Sequence, residues 1–488
     1  MDLPETLRRM HQLNEWWDLK KVPDKLLKPF RRRDFYKILD SITPHKTTVL
    51  IGPRRVGKTT LIYQLIEHLI NDDKVDPSQI LYLRMDDFLL KSAVGGEFHN
   101  VFKVYSQSVL KSTFREFKNP IYIFLDEIQA WPDWSQSLKD MMEPKYNITF
   151  LVSGSSSPAI FRKAAEAMTG RYRIQLMLPM KYIDVVNKKL GKGKELTELD
   201  KLNLMLRDAL KQAISNKDIS IFYRALNSAF NALVSKEDKL KIILNEYLIK
   251  GGYPELYDVE TENWYSWSES LRNQLGAIIT KDIVSVFNLK SPEKILDLFQ
   301  LISSQTAQIR AYEILCARTG IVKVDTLKDY LSALKETYLI GVAEIYSKNV
   351  DTSKKSKKKL YTMDVGLRNV ALGVLDPSLL QNSNELGKVA ETVVYDHCMR
   401  LKYNLDATLT DMPIFYWRSN GDEVDIILPT KPYPIPIEVT YKSDHSESGL
   451  RKFMEKFDSP FGIVVSRGKL AINNNIIHVP MWLFLLMC

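Results

Sequence analysis

Cysteine is scarce in this chain, with three among 488 residues. Cys316, Cys398 and Cys488 stand far apart, so they build neither a disulfide framework nor a cysteine-rich zinc site. No apolar stretch approaches the roughly 18 residues that a membrane-crossing helix needs. The terminal MWLFLLMC is too short for that and reads as a buried last strand. The opening MDLPETLRRMHQLNEWW lacks the apolar centre of a secretory signal. These absences exclude a disulfide-stapled secreted domain and a membrane protein. The expectation is a multidomain protein of the cytoplasm.

What the sequence has in quantity is core material. Hydrophobic residues make up 45% and aromatics 10%, which excludes a mostly disordered chain. At about 150 residues per domain, the length suggests roughly three domains. The 68 basic side chains exceed the 59 acidic ones, for a net charge of +9. That excess is uneven. The run KKSKKK, with Lys354, Lys355, Lys357, Lys358 and Lys359, supplies five charges, more than half of it. Residues 281–370 carry 15 basic and 10 acidic side chains, whereas 381–488 carry 11 and 13. A nucleic-acid contact made by charge therefore falls in the middle of the chain, with a solvated lysine loop as the alternative.

The strongest local pattern lies near the N-terminus. The β-branched run Thr47-Thr48-Val49-Leu50-Ile51 leads into Gly52-Pro53-Arg54-Arg55-Val56-Gly57-Lys58-Thr59-Thr60. Leu61, Ile62, Leu65, Ile66 and Leu69 then repeat at helical spacing. Strand, glycine loop and helix are the context that makes G-x-x-x-x-G-K-T a P-loop. Gly52 and Gly57 let successive backbone N–H groups face a triphosphate at a helix N-terminus. Lys58 reaches the β- and γ-phosphates, and the Thr59 hydroxyl ligates Mg²⁺.

The acidic partner is expected on a neighbouring strand. Ile121-Tyr122-Ile123-Phe124-Leu125 is a continuous apolar run that ends in Asp126-Glu127. Asp126 is the candidate for the Mg²⁺ shell and Glu127 for polarising the attacking water, against plain helix capping. A third run, Ile148 to Val152, ends in Ser153-Gly154-Ser155-Ser156-Ser157. Ser153, with Ser155 as its rival, is placed to sense the γ-phosphate; a serine-rich cap is the alternative. In Thr169-Gly170-Arg171-Tyr172-Arg173, Arg171 is the candidate arginine finger, in cis or across a subunit interface, with Arg173 as the second choice and a structural salt bridge as the plain reading.

Together, Asn14-Glu15-Trp16-Trp17, IGPRRVGKTTLIYQLI, IFLDEIQ, LVSGSSS with TGRYR, and KGGYPEL resemble the archaeal AAA-type ATPases. The resemblance extends to LYTMDVGLRN, FYWRSNGDEVDII and IPIEV. In that family a winged-helix domain and a restriction-endonuclease-like domain follow the ATPase. The resemblance implies ATP with magnesium and a homo-oligomer.

The charged helical stretch from about 181 to 250 lies where that family carries its lid, and Gly251-Gly252-Tyr253-Pro254 reads as a helix stop. From Ile309, AYEILCART, Gly320 and DTLKDYLSALKETYLI form helix, turn and helix. Two strand-like runs follow, Gly341 to Tyr346 and Leu360 to Met363, and make the lysine run the tip of a hairpin wing that meets DNA phosphates. The second helix mixes Asp325, Asp329 and Glu336 with Lys323, Lys328 and Lys335, a poor balance for reading a groove.

The C-terminal part offers a sparse acidic constellation. Glu391 sits on an amphipathic helix, and Asp425 and Glu438 sit in successive apolar strands. Acids converging from adjacent strands can hold Mg²⁺ for phosphodiester cleavage. The pattern resembles the PD-(D/E)xK nuclease fold, but Thr440 stands where its lysine is expected, and Lys442 is the nearest substitute.

The expected fold is α/β: a P-loop parallel sheet, a helical lid, a winged helix and an α/β restriction-endonuclease-like domain. The expected bounds are 1–30 for an N-terminal helical segment, 31–180 for the ATPase core, 181–280 for the lid, 281–375 for the winged helix and 376–488 for the last domain. The expected function is a Mg²⁺-dependent ATPase coupled to a winged helix on DNA. The alternatives are a signalling or defence-type NTPase switch and an ATP-coupled nuclease.

Overall fold

The apolar runs that end in Ile51, Leu125 and Val152 become three adjacent buried strands. A computed structural model describes the whole chain except residues 44–45, 132, 144, 155–171, 192–197, 259–263, 348–356, 375, 406–412 and 442–445. The chain divides into two units, 1–178 and 179–488.

The first unit is built on a parallel sheet of β1 (Thr47–Ile51), β2 (Ile80–Arg84), β3 (Ile121–Asp126), β4 (Ile148–Gly154) and β5 (Tyr172–Leu176). Their order is β2-β3-β4-β1-β5, so β1 lies between β4 and β5 and β2 is an edge. All five residues of β1 are buried, as a strand covered on both faces requires. The helix Lys58–Asn71 follows β1 and buries Leu61, Ile62, Leu65, Ile66 and Leu69 on its core face.

The open edge of the sheet is satisfied by side chains. Asn14 donates through Nδ2 to Tyr82 O at 2.9 Å and accepts from Tyr82 N at 2.7 Å, as a neighbouring strand would. The indoles of Trp16 and Trp17 both donate to Ile80 O, at 3.2 and 2.9 Å. The Asn-Glu-Trp-Trp turn thus replaces a sixth strand along β2.

The second unit opens with the helices Tyr182–Leu190, Glu198–Asn216, Ile219–Leu233, Glu237–Lys250 and Trp264–Ala277. The expected stop holds: the fourth of these ends at Lys250, with Gly251 at φ 73°. Phrases more than a hundred residues apart pack together there. Asp364 accepts from Gly252 N at 2.8 Å, and Asn369 Nδ2 donates to Leu248 O and Ile249 O at 3.1 and 2.9 Å.

The expected helix, turn and helix are Tyr312–Thr319 and Val324–Glu336, with Gly320 in the left-handed conformation between them. The second helix stops four residues earlier than its pattern suggests, because Tyr338 takes a positive φ and Ile340 starts a strand.

Among the described residues nine strands then form one mixed sheet: β6 (Gln308–Arg310), β7 (Ile340–Ile345), β8 (Lys358–Thr362), β9 (Phe415–Ser419), β10 (Asp422–Leu428), β11 (Ile435–Thr440), β12 (Gly462–Ser466), β13 (Ala471–Asn473) and β14 (Ile476–Pro480). Their order is β13-β14-β12-β11-β10-β9-β7-β8-β6. β7 pairs in parallel with β9, Glu344 opposite Phe415, so the segments expected as separate domains at 375/376 share one sheet. The amphipathic helix Ser448–Phe457 covers it, packing Leu450, Phe453 and Phe457 against Phe415, Trp417 and Val424.

Two expectations fail in this unit. The terminal apolar run is the helix Met481–Met487, not a strand. It follows Pro480, which ends β14, and contains no β-branched residue; being apolar all round, it is buried all round. The lysine run is not wholly a wing. Lys358 and Lys359 lie inside β8, 8% and 1% exposed, and point into ion pairs. Lys357 is exposed, and Lys354 and Lys355 lie outside the described residues.

Candidate functional site

The loop after β1 is shaped by close backbone approach. A Cβ on Gly52 would stand 1.9 Å from Met177 O, so only glycine passes there. Gly57, at φ 100°, turns the chain into the helix that begins at Lys58. Arg54 is half-buried, Arg55 is exposed at φ 60°, and Val56 is buried. Arg32 braces the loop from outside, donating to Val56 O at 2.9 Å and Leu178 O at 2.8 Å. Lys58 is buried, and its ammonium donates to Gly52 O and Pro53 O, both at 2.8 Å. Pro53 and Thr60 complete the loop and the first helical turn.

The end of β3 meets this loop. Thr59 Oγ1 donates to Asp126 Oδ2 at 2.6 Å. Asp126 accepts from two further hydroxyls, Ser153 at Oδ1 and Tyr82 at Oδ2, the latter at 3.2 Å. Ser153 is therefore engaged with Asp126 from the end of β4. Glu127 follows in the left-handed conformation at φ 56° and is half-buried, and its Oε2 accepts from Gln129 Nε2. Sequence reasoning missed Tyr82 and Gln129. Tyr82 looks like any aromatic of a buried strand, and only the pairing of β2 with β3 brings it to Asp126.

Comparison with known proteins agrees with this geometry. Residues 44–186 match a family described as AAA domain. These residues form an AAA-type P-loop domain. Residues 242–378 and 386–484 match two domains of unknown function (DUF8612 and DUF4143). The chain is similar to an uncharacterized protein, MJ1544, of Methanocaldococcus jannaschii, 23% identical over 79% of this chain and 73% of that one. It is also similar to an uncharacterized protein of Haemophilus influenzae, 20% identical over 81% of this chain and 82% of that one. Among solved structures, the ORC2 protein of Aeropyrum pernix in ADPNP–ADP complexes aligns with a TM-score of 0.34 and 12% identity, over 72% of this chain and 91% of that one.

Within the AAA-type domain, the two arginines expected as fingers fare differently. Arg171, like Ser155, lies outside the described residues. Arg173 is exposed on β5 opposite Thr48, while the P-loop follows Ile51. Three residues of strand, about 10 Å, separate the two.

In the second unit the structure does bring Glu391 and Asp425 together, but around an ammonium. Lys359 Nζ lies 2.8 Å from Glu391 Oε1, 3.1 Å from Glu423 Oε1 and 3.1 Å from Asp425 Oδ1. Tyr361 OH donates to Glu391 at 2.8 Å, and Asp425 also accepts from Val439 N at 3.0 Å. Burial alone would lower the Lys359 ammonium, but the surrounding carboxylates hold it well above the ordinary lysine range. Burial and the Asp425 charge push Glu391 up to about 8, and the same two causes push Glu438 well above the ordinary carboxylate range. Of the acids expected to form a second Mg²⁺ site, Asp425, Glu438 and Glu391, two therefore face the Lys359 ammonium, Glu391 and Asp425. Among the described residues no three His, Cys, Asp or Glu side chains are arranged to hold a metal. Thr440 ends β11, and Lys442 lies outside the described residues.

Among the described residues no helix is long and apolar enough to cross a membrane.

Proposed function

We propose that the first unit binds ATP with Mg²⁺ and hydrolyses it. The observation that carries this reading is the meeting of Thr59 and Asp126 at 2.6 Å beside a loop only glycine can form at Gly52. A hydroxyl and a carboxylate are the hard oxygen donors that Mg²⁺ prefers, so the residues fit the ion. When bound, the ion would screen phosphate charge and order the phosphate oxygens. The chain's own residues do the rest. The loop amides and the N-terminus of the helix Lys58–Asn71 attract phosphate, and Lys58 exchanges its carbonyl partners for phosphate oxygens. Glu127 polarises the attacking water, with Gln129 fixing the direction of its carboxylate. The test is binding of a fluorescent ATP analogue: Lys58→Ala should lose it, and undiminished affinity in that variant would end the P-loop reading.

A second reading, contact with DNA, is supported by the second unit's element order. A helix (Pro292–Ser304), β6, two helices joined at Gly320, and the antiparallel pair β7–β8 follow the sequence of a winged helix. Such contact is with phosphates rather than bases, since the exposed face of Val324–Glu336 pairs Lys328 with Asp325. Charge reversal at the exposed Lys357 should weaken binding to duplex DNA, most at low salt. Equal affinity in the variant contradicts this reading.

A further inference from the structure

Asp126 is held by more than its own strand. Its carboxylate gathers three hydroxyls: Thr59 from the P-loop helix, Ser153 from β4, and Tyr82 from the edge strand β2. Thr59 and Tyr82 share one oxygen, and Ser153 takes the other. Tyr82 reaches Asp126 because parallel pairing sets Arg84 opposite Asp126, which leaves Tyr82 two residues back, about 7 Å along the strand. A phenol spans that distance; a serine or threonine does not.

Tyr82 is itself clamped. Its ring is fully buried between Trp16, at 6.3 Å, and Tyr63, at 5.0 Å. Its backbone N–H and carbonyl are both taken by the Asn14 amide, and the indoles of Trp16 and Trp17 fix Ile80 two residues earlier. Asn14 is in turn tied to Met10 O at 2.8 Å.

We infer that Tyr82 is a positioning residue for the metal-binding carboxylate, and that the Asn14–Trp17 turn belongs to the nucleotide site through it. This rests on the ATPase reading above. With Mg²⁺ bound, Thr59 would give its oxygen to the ion, and Tyr82 and Ser153 would remain as the donors that keep Asp126 aimed. The turn lies before residue 44, where the match to the AAA domain begins. The site therefore extends into a segment that is otherwise edge packing.

The test is nucleotide affinity measured with Mg²⁺ and with EDTA, in wild type and in Tyr82→Phe. Outer-shell partners of this kind are worth about 10–100-fold in metal affinity. Tyr82→Phe should therefore lose about tenfold or more of the Mg²⁺-dependent gain while its affinity in EDTA stays unchanged. A purely structural role would shift both conditions alike. If the wild type gains from Mg²⁺ and Tyr82→Phe gains equally, the inference is wrong and the ATPase reading survives. If the wild type binds no nucleotide, both fall. Should Tyr82→Phe not fold, Asn14→Ser carries the test: a smaller loss in the Mg²⁺ condition alone supports the clamp, and an unchanged Mg²⁺ gain overturns it.

Discussion

Replacing Lys359 by methionine separates a wing lysine from a core lysine. The side chain is 1% exposed and lies within 3.1 Å of three carboxylates. Methionine keeps most of its volume and removes the ammonium that pairs with them. Breaking a buried ion pair from one side costs about 3–5 kcal/mol, since the remaining charge is left without compensation. At about 2.1 cal/mol/K of unfolding entropy per residue, each kcal/mol moves the Tm of a unit of this size by roughly 1.5 °C, so a fall of about 5–8 °C is expected. The fall should be smaller at pH 6 than at pH 8.5, because Glu391 and Glu438, both already pushed up, can answer the loss by keeping their protons. Thermal unfolding followed by circular dichroism at the two pH values measures this. Lys357→Met is the exposed neighbour for comparison and should stay within about 0.5 kcal/mol of wild type. A Lys359→Met protein as stable as Lys357→Met, with weakened DNA binding instead, would refute the buried-socket account.

Other consequences are as direct. Burial and the Asp425 charge push Glu391 from an ordinary 4.5 up to about 8, so the folded state holds its proton more tightly. The stability this confers is complete below about pH 4.5 and is lost as pH rises towards 8. Glu391→Gln should flatten that part of the Tm–pH curve, and parallel curves for the two proteins would contradict it. Gly52→Ala places a methyl 1.9 Å from the Met177 carbonyl, a backbone atom that cannot swing aside. It should cost about 1–3 kcal/mol and abolish nucleotide binding; normal binding to the fluorescent ATP analogue would show that the loop is open at Gly52.

The P-loop was legible because several local signals agree: Thr47–Ile51, two glycines, Lys58-Thr59 and a helical period all point to one structure. Asp126 and Glu127 were legible for the same reason, as acids ending a doubly buried strand. Tyr82 was not, because its role depends on which strand lies beside β3, and no local pattern encodes that neighbour. The lysine run misled for a related reason. Composition counts Lys357, Lys358 and Lys359 alike, and only the acids brought from Glu391, Glu423 and Asp425 distinguish a core ammonium from a solvated one. The final helix failed on period alone, since a run that is apolar at every position fits a buried strand and a buried helix equally. Asn14, Trp16 and Trp17 stood out as a motif, but their work on the edge of β2 is a matter of pairing in space.

The most direct measurement of the ATPase account is steady-state phosphate release from Mg²⁺·ATP by the wild type and by Glu127→Gln. The account predicts turnover in the wild type, abolished by EDTA, and a loss of about 10²-fold or more in Glu127→Gln, which still binds nucleotide. Equal phosphate release from the two proteins would contradict it.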